Sequence, residues 1–357
     1  MNIRDLARHL NISIGTVSRA LNGRKDVNPE TRRRVIEAAA RLSYAPNQSG
    51  RNLRRGATHA VAFLLQPHPG DNQYGEPFFV PLLKGLQSRF AVHGLELIAV
   101  VDEQGDNHER LRRIVEARWA DAVILAWTRH VDHRIEYLAR AGFPFATLGR
   151  SRSGGAAYPT LDLDFVRAAH DAVDRLVKFG HRRIGIVSPS PDLNFVHLFR
   201  RGFRAAMRRH GLGFEEDLIA TGEVNQDGGY AATRRIMARS DRPHALIFHN
   251  DVMALGGGRA LAELGLKPGR DVSVLVVVAS PLVEYLTPTL TGFSVELEPL
   301  GRRLAEILLA SMPGHGDPGG PRIIREVWPL ELTARESDVL PANGPPRMVA
   351  CAPAGGG

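Results

Sequence analysis

Cysteine is almost absent from the 357-residue sequence, because its single cysteine, Cys351, lies in a tail rich in proline, glycine and alanine. One thiol cannot build an intrachain disulfide or a cysteine-based zinc site. The longest apolar run, near residues 274–279, has the length of a strand and not the roughly 18–20 residues of a membrane span. The amino terminus also lacks the basic-then-apolar layout of a secretory signal. We therefore expect a cytoplasmic protein that contacts no membrane and uses no metal or cofactor.

The remaining composition is that of an ordinary globular protein, with 43% hydrophobic and 24% charged residues. A chain of 357 residues exceeds the roughly 250–300 residues at which single cores usually stop growing. We therefore expect two or three folded units and not a disordered or fibrous chain.

The formal net charge of +8 is concentrated at one end of the sequence. Residues 1–57 hold 12 Lys and Arg residues against 4 Asp and Glu residues, and the other 300 residues are neutral as a group. A small basic unit on a neutral body is typical of a polyanion-binding head, because each phosphate that it neutralises releases condensed counterions. A solvated charged face is the plainer alternative.

Three short helices are predicted in this basic head. Asn2 and Ser13 can cap the first two, and Asn28 followed by Pro29 predicts the start of a third helix that runs to about residue 43. Two short helices joined by a tight turn are the helix-turn-helix arrangement, whose second helix enters the major groove of DNA. The apolar spacing places these residues inward: Ile3, Leu6, Ala7, Leu10, Val17, Ala20, Leu21, Val35, Ala39 and Leu42.

The outward face of the second helix carries small and polar residues. Serine and threonine are short enough to let the helix approach DNA, and arginine can donate two hydrogen bonds to guanine. We therefore expect base or phosphate contacts from this face and its ends, namely from Ile14, Gly15, Thr16, Ser18, Arg19 and Asn22.

Four blocks stand in order along the head: IRDLA at residues 3–7, SIGTVSRALNG at 13–23, VNPETR at 27–32 and YAPN at 44–47. Together they resemble the amino-terminal signature of the lactose-repressor/galactose-repressor (LacI/GalR) family of bacterial transcription regulators. The resemblance implies a hinge helix within residues 46–56 that folds in the DNA minor groove, where Leu53 would be an apolar wedge. An ordinary basic linker is the alternative. The resemblance adds three DNA-contacting residues in this segment: Asn47, Arg51 and Arg54.

Apolar runs of strand length alternate with helical patterns along the body. This alternation predicts an α/β fold with two doubly wound parallel sheets in tandem, which bind ligands at the carboxyl ends of their strands. We predict strands near residues 60–65, 95–101, 121–127, 145–148, 183–188, 218–221, 245–249 and 272–278, and helices near 79–93, 107–118, 132–141, 198–210, 228–239 and 252–264.

Five blocks extend the resemblance to the body: PFF at residues 77–79, KFGHRRI at 178–184, RGFRAA at 201–206, NDVMALG at 250–256 and DVSV at 271–274. They are similar to the periplasmic-binding-protein-like core of the same family. The resemblance implies chain crossovers near Gly180, Gly292 and Arg322. It also implies a helix-turn-helix domain at 1–45, a hinge at 46–58, and a core at 59–340 with an N-subdomain (59–180 and 293–323) and a C-subdomain (181–292 and 324–340). Residues 341–357 are predicted to be a disordered tail.

The resemblance places an effector cleft between the two subdomains. Phe78 stands where the family has an aromatic residue against the effector. Asn250 and Asp251 form the strand-end pair that faces the cleft in the family. Trp127 and Phe165 are equally compatible with the cleft wall and with the core, and we count both as candidate effector-binding residues.

Two polar anchors of the family's effector site are missing. Phe199, also a candidate effector-binding residue, stands at the position of the family's arginine, and Arg200 is one position out of register. VVVA at residues 276–279 replaces the usual Gly-Phe-Asp-Asp. We therefore expect a less polar site for a sugar or sugar derivative. An unusual ligand, a phosphorylated corepressor held elsewhere and a degenerate site are the alternatives.

Three other classes of protein fit the sequence less well. An enzyme is disfavoured, because GRSRS at residues 149–153 lacks the last glycine of a nucleophile elbow and GGG at 256–258 lacks the ending of a phosphate loop. The pair His130 and His133 has no third metal ligand in its pattern. A sugar-binding protein that feeds a transporter would need export, and a nonspecific DNA binder would show no sequence selectivity.

The sequence is thus identified as a member of the LacI/GalR family. This membership implies a homodimeric regulator, with a repressor as the expected type, that binds a palindromic operator in double-stranded DNA and responds to a small-molecule effector. By linkage, an effector that weakens DNA binding must itself bind the DNA complex less well.

Overall fold

The structure is a computed structural model that describes residues 2–21, 24, 26–42, 44, 58–65, 78–102, 108–153, 155, 157–315 and 319–338. The chain divides into two compact units, Met1–His59 and Ala60–Gly357. The predicted hinge at 46–58, apart from Thr58, and the predicted tail at 341–357 lie outside the described residues. None of the described helices is long and apolar enough to cross a membrane.

The described part of the first unit contains three helices: α1 (Ile3–Leu10), α2 (Ile14–Leu21) and α3 (Pro29–Arg41). The side chain of Asn2 accepts hydrogen bonds from the first turn of α1, and the Asp5 carboxylate accepts one from the backbone of Asn2. Asn28 caps α3 by accepting from the backbone N–H of Glu30. The three predicted helices are confirmed, and their shared core consists of Leu6, Ala7, Val17, Ala20, Val27, Val35, Ala38 and Ala39.

The second unit alternates strands with helices, as the sequence pattern predicts. Its strands are β1 (Ala60–Leu65), β2 (Glu96–Val101), β3 (Ala122–Leu125), β4 (Phe145–Leu148), β5 (Thr160–Leu163), β6 (Ile184–Ser188), β7 (Ile219–Thr221), β8 (Ala245–Asn250), β9 (Ser273–Val278), β10 (Thr291–Ser294), β11 (Arg325–Trp328) and β12 (Glu331–Thr333). Its helices are α4 (Phe79–Val92), α5 (Glu109–Glu116), α6 (His133–Ala141), α7 (Phe165–Lys178), α8 (Asn194–Arg209), α9 (Gln226–Met237), α10 (Asp251–Glu263) and α11 (Leu297–Ser311).

The strands form two six-stranded sheets. The strand order is β2-β1-β3-β4-β5-β11 in the first sheet and β7-β6-β8-β9-β10-β12 in the second. All pairs are parallel except the antiparallel pair of β10 and β12. The central strands β1, β3, β6 and β8 are almost wholly buried, so each core lies between a sheet and the helices that cover it. The predicted fold of two doubly wound parallel sheets is confirmed.

The chain passes between the two sheets three times. The first passage lies between α7 and β6, and the second lies between β10, in the second sheet, and α11, which packs on α4 of the first half. The third lies between Trp328 and Glu331, because β11 pairs with β5 while β12 pairs with β10. The predicted subdomain boundary at residues 323 and 324 is therefore wrong. The physical reason is that Arg325 pairs in parallel register with Thr160, so that β11 extends the first sheet by one strand.

Glycines let α4 and α11 pack closely in the first half. A Cβ atom on Gly301 of α11 would overlap the carbonyl oxygen of Leu82 in α4. A Cβ atom on Gly85 of α4 would overlap the carbonyl oxygen of Glu298 in α11. The two helices thus meet backbone to backbone, which joins a segment near residue 300 to one near residue 85.

Candidate functional site

The outward face of α2 is the candidate DNA-reading surface. Ser13 stands before the helix, and its hydroxyl oxygen accepts a hydrogen bond from the backbone N–H of Thr16 at 3.0 Å. Val17 and Ala20 are buried in the head, which turns the opposite face of α2 to solvent. The predicted residues Ile14, Gly15 and Arg19 are exposed, and Thr16 and Ser18 are half-buried.

The charged guanidinium of Arg19 stays accessible to solvent on this face. Its Nε lies 3.6 Å from a carboxylate oxygen of Asp26, and the two side chains remain 52% and 64% exposed. An exposed pair of this kind contributes little to stability. The other predicted DNA contacts, Asn22, Asn47, Arg51, Leu53 and Arg54, lie outside the described residues and stay predictions.

A cavity of about 150 Å³ lies between the two sheets of the second unit. Its walls are the residues at the carboxyl ends of the parallel strands of both sheets. In the first sheet they follow β3, β4 and β5, and in the second they follow or end β6, β8 and β9. This is the place where doubly wound folds bind ligands. We call it the cleft.

Four phenylalanine rings and one tryptophan ring line the cleft. The ring centroids of Phe79 and Trp127 lie 6.4 Å apart, and those of Trp127 and Phe195 lie 5.7 Å apart. Phe165 lies 5.4 Å from Phe195, and Phe78 lies 5.5 Å from Phe79. Trp127 follows a strand of the first sheet and Phe195 lies in α8 beside the second, so one continuous aromatic group spans both walls.

A buried ion pair braces the turn that carries Trp127. Trp127 has a left-handed backbone, with a φ of 52°, which is strained for a residue with a Cβ atom. The guanidinium of Arg134 donates to the carbonyl oxygens of Ala126 and Trp127 at 3.3 and 3.2 Å, and to Asp132 at 2.6 Å. Burial raises the pKa of Asp132, but the hydrogen bonds and charge of Arg134 outweigh it and hold that pKa below its usual value.

Asp162 places a buried carboxyl group in the cleft wall. One oxygen accepts the backbone N–H of Leu163 at 3.0 Å, and the other lies 2.7 Å from Nε of Arg150 without a well-directed hydrogen bond. Burial raises the pKa of Asp162 to about 6, although Arg150 lies beside it. Asp162 is therefore a carboxyl group that can accept a further hydrogen bond from a ligand.

His249 is the most unusual polar group of the cleft. It is buried against Phe165, Phe195 and Phe199, whose ring centroids lie 6.5, 5.2 and 5.1 Å from its own. Neither ring nitrogen has a hydrogen-bond partner among the described residues. Burial lowers the pKa of His249 to about 3, so the ring is neutral at pH 7. An imidazole without partners in a ligand cavity is a candidate hydrogen-bonding group for that ligand.

Asn250 and Asp251 tie the second wall together. Oδ1 of Asn250 accepts the backbone N–H of Met253 at 2.9 Å and so caps α10. A carboxylate oxygen of Asp251 accepts the backbone N–H of Ser280 at 2.9 Å and also the hydroxyl of Ser280. These bonds hold the carboxyl ends of β8 and β9 side by side at the cleft.

Five of the six predicted effector residues come together on the cleft walls, namely Phe78, Trp127, Phe165, Asn250 and Asp251. Phe199 does not line the cleft, because it is fully buried in the core behind His249. The sequence reasoning missed four further polar lining residues, of which His249 and Asp162 are the ionisable ones; the others are Thr128 and Ser280. His249 directly precedes the predicted pair of Asn250 and Asp251 in the sequence. This position could have identified it as a cleft residue.

The cleft has the features of a binding site and not of a metal centre. Within the described ranges, no group of three or more His, Cys, Asp or Glu residues is placed to hold a metal ion. The few polar groups stand among aromatic rings, an arrangement that orients a small molecule by hydrogen bonds while its apolar faces pack on the rings.

Two family profiles match the sequence. Residues 2–47 match "Bacterial regulatory proteins, lacI family", and residues 173–337 match "Periplasmic binding protein-like domain". The first match covers the three-helix unit, and the second covers most of the second sheet and its helices.

Curated proteins resemble the chain over most of its length. The HTH-type transcriptional regulator AglR of Rhizobium meliloti (strain 1021) is 32% identical over 343 residues, which are 94% of each chain. The HTH-type transcriptional regulator RafR of Escherichia coli is 32% identical over 277 residues, which are 78% of this chain and 81% of RafR.

Two solved structures share the fold. The complex of the transcriptional regulator CelR with cellobiose superposes with a TM-score of 0.72 at 27% identity and covers 94% of this chain and 99% of CelR. The Lac repressor dimer bound to operator and the anti-inducer ONPF superposes with a TM-score of 0.82 at 21% identity and covers 95% of this chain and 99% of its own.

Proposed function

The chain belongs to the LacI family of bacterial DNA-binding transcription regulators and is not an enzyme, and we propose that it is a homodimeric repressor whose effector is a sugar or sugar derivative. It binds a palindromic operator through α2 of each subunit, and the effector binds in the cleft. Because it acts on DNA, it works in the cytoplasm. The observation that supports this proposal most directly is the aromatic cleft at the carboxyl ends of both sheets.

The chemistry of the cleft favours a saccharide with a large apolar face. A sugar ring presents C–H groups on its faces and hydroxyl groups at its edge, and the rings of Phe78, Phe79 and Trp127 offer apolar faces of matching size. Asp162 can accept a hydroxyl hydrogen bond, and His249 can both donate and accept one. A hydroxyl group that pairs with His249 would satisfy a buried group that has no partner among the residues whose positions are described.

Measurements of saccharide binding test the proposed class of effector. Cellobiose is the first probe, because a structurally similar regulator has been solved with it, and a panel of hexoses and disaccharides follows. We expect one saccharide to quench tryptophan fluorescence and to release heat in calorimetry. Trp127→Phe removes the quenching and Trp119→Phe, at a residue outside the cleft, preserves it. Failure of the whole panel to bind would overturn the sugar assignment, and equal binding of a saccharide to an Asp162→Asn variant would overturn the role given to Asp162.

Selection of bound fragments from random duplex DNA tests the operator. The salt concentration is set high enough to suppress contacts to phosphate alone. We expect the full-length protein to enrich a palindrome whose centre is bent by the hinge segment. Arg19→Ala lowers operator affinity by about 1–3 kcal/mol and relaxes the preference at one position of each half-site. Arg8→Ala, an exposed arginine of α1, leaves that preference unchanged. Recovery of unrelated fragments only would contradict the proposal.

Several exposed apolar residues of the second unit support the homodimer. Val80 at the start of α4 is 71% exposed and Tyr285 is 83% exposed. Ile98 and Val101 are exposed on β2, which is an edge strand of the first sheet. We place the contact with a second copy of the chain at these residues. Tyr285→Asp should shift the sedimenting species toward the monomer, whereas Val131→Asp, at an exposed apolar residue outside this set, should not.

A further inference from the structure

The two halves of the second unit touch at the edge of the cleft along a line of hydrogen bonds, which we call the seam (residues 128–130 and 192–194). The backbone N–H of His130 donates to the carbonyl oxygen of Asp192 at 2.8 Å. The backbone N–H of Asn194 donates to the carbonyl oxygen of Thr128 at 2.9 Å. The seam therefore joins the turn after β3 of the first sheet to the start of α8.

Side chains reinforce the seam. The amide of Asn194 donates to the carbonyl oxygen of Arg150 at 2.7 Å, and Oδ1 of Asn194 lies 2.9 Å from Nδ1 of His130. The rings of His130 and His197 stack with centroids 4.1 Å apart. Because each of these contacts crosses from one half to the other, they close the outer rim of the cleft.

A large cavity of about 610 Å³ lies at this outer side of the seam, and we call it the arginine groove. Two of its arginines come from the segment after β4, and four come from α8. None of its described lining residues is acidic. Its arginines are Arg150, Arg152, Arg200, Arg201, Arg204 and Arg208.

Few carboxylates neutralise the arginine groove. Arg200 and Arg204 share a single carboxylate, that of Glu216. Arg201 and Arg208 are exposed to solvent. The Nε of Arg204 is buried without a hydrogen-bond partner among the described residues. The groove therefore holds more guanidinium groups than its surroundings balance.

The spacing of these arginines is unfavourable for the helix itself. Arg200, Arg204 and Arg208 follow one another at intervals of four residues along one face of α8. Like charges at that interval repel each other and destabilise a helix. Burial, together with the charges of Arg200 and Arg208, lowers the pKa of Arg204. An anion in the groove would remove this repulsion, and guanidinium groups bind phosphate through paired hydrogen bonds.

We propose that the arginine groove binds a small molecule carrying two or more phosphate groups, and that this ligand holds the two halves together across the seam. The site is separate from the cleft, whose lining residues it does not share. Arg150 connects the two sites, because it lines the groove while its Nε faces the cleft carboxylate of Asp162. A ligand that binds the closed arrangement more tightly than an open one shifts the population toward closure.

Calorimetric titration of the full-length protein with tripolyphosphate, at constant ionic strength, tests the site. We expect Arg201→Gln/Arg208→Gln to weaken binding by at least about tenfold, because two charge-assisted contacts are lost. Arg110→Gln/Arg234→Gln removes the same charge from exposed positions outside the groove and retains the original affinity. Binding of tripolyphosphate to the basic head is common to all three proteins and cancels in this comparison.

Hydrogen exchange at the seam tests the bridging. Tripolyphosphate should slow exchange of the backbone amides of His130 and Asn194, and Arg152→Gln, in the first half, should reduce this protection. Inorganic phosphate at equal concentration should protect less, because it has one phosphate group. Equal tripolyphosphate affinity of the groove and control variants would overturn the site. Groove-dependent binding without protection of the seam amides would overturn the bridging.

Discussion

The two walls of the cleft are built on different physical principles. The first wall presents Trp127 on a strained left-handed turn, which the buried pair of Asp132 and Arg134 fixes by hydrogen bonds to its carbonyl oxygens. The second wall presents His249, which is packed among aromatic rings and has no hydrogen-bond partner in the part of the chain that the structure describes. The turn that carries Trp127 is therefore fixed by a hydrogen-bonded ion pair, whereas His249 of the second wall presents ring nitrogens that a ligand can satisfy.

This difference gives the two walls different roles: the first fixes the geometry of the cleft, and the second contributes to its affinity for a ligand. A buried ion pair is weak evidence for added stability but is costly to break, because the remaining charge has no partner. It therefore suits the task of holding Trp127 in a strained position. An unsatisfied imidazole lowers stability in the free protein, and a ligand that bonds to it recovers that loss. The second wall thus contributes to stability only when a ligand occupies the cleft and bonds to the imidazole.

Breaking the ion pair should have the largest effect. Arg134→Leu leaves Asp132 buried and charged, and should lower the free energy of unfolding by about 3–5 kcal/mol. The control is Asp132→Asn/Arg134→Leu, which keeps the helix cap but removes the stranded charge and should recover at least half of the loss. Urea denaturation at pH 7 measures both. A single variant within about 1 kcal/mol of the original protein would show that the pair does not brace the first wall.

Removing the imidazole should change the acid response of stability. Below its ordinary pKa of 6.5, His249 binds a proton in the unfolded chain, but in the folded chain it does so only near its lowered pKa of about 3. The free energy of unfolding therefore falls as the pH drops through this window. His249→Leu removes this contribution, so its stability relative to the original protein should rise by about 2 kcal/mol between pH 7 and pH 5.

Two other buried groups act in the same pH range and remain in both proteins. His181, with its pKa lowered to about 4 by burial, adds to the acid sensitivity, and Asp162, with its pKa raised to about 6, opposes it. Their contributions cancel when the variant is compared with the original protein. Urea denaturation at several pH values gives the difference, and parallel stability curves would contradict the assignment to His249.

Removing the helix cap of the second wall should have the smallest effect. Asn250→Ala removes the bond to the backbone N–H of Met253 and should lower the free energy of unfolding by about 1 kcal/mol. Asn250→Ser keeps a capping oxygen and should lose less than half of that amount. If the alanine variant instead lost as much as Arg134→Leu, the second wall would depend on polar bonds as strongly as the first.

The sequence pattern predicts much of the fold because most strands are apolar runs between breakers. β1 and β4 lie at their predicted bounds. β5, β10, β11 and β12 were not predicted, since each has only three or four residues and several contain polar side chains. Such segments become strands because a neighbouring strand pairs with them, and that pairing is not encoded locally.

Part of the cleft could be predicted from the sequence, because aromatic residues at strand ends mark its position. Trp127 was found in this way, whereas Asn250 was found from the family's strand-end Asn-Asp pair. The brace of Asp132 and Arg134 was not, because two charged residues at the start of a helix usually face solvent, and only the three-dimensional packing buries them. Among the described residues, His249 has no hydrogen-bond partner. This too depends on the three-dimensional packing around the ring and not on the residues next to it in the sequence.

The three passages of the chain between the sheets also determine when each half can be completed on the ribosome. The first half receives α11 and β11 only after about 325 residues have been synthesised, because these elements lie at Leu297–Ser311 and Arg325–Trp328. Until then the backbone surface of α4 that Gly301 will cover stays open to water or to a chaperone. Neither half can reach its final form before the other is nearly finished, so the cleft, whose walls come from both halves, is completed only near the end of translation.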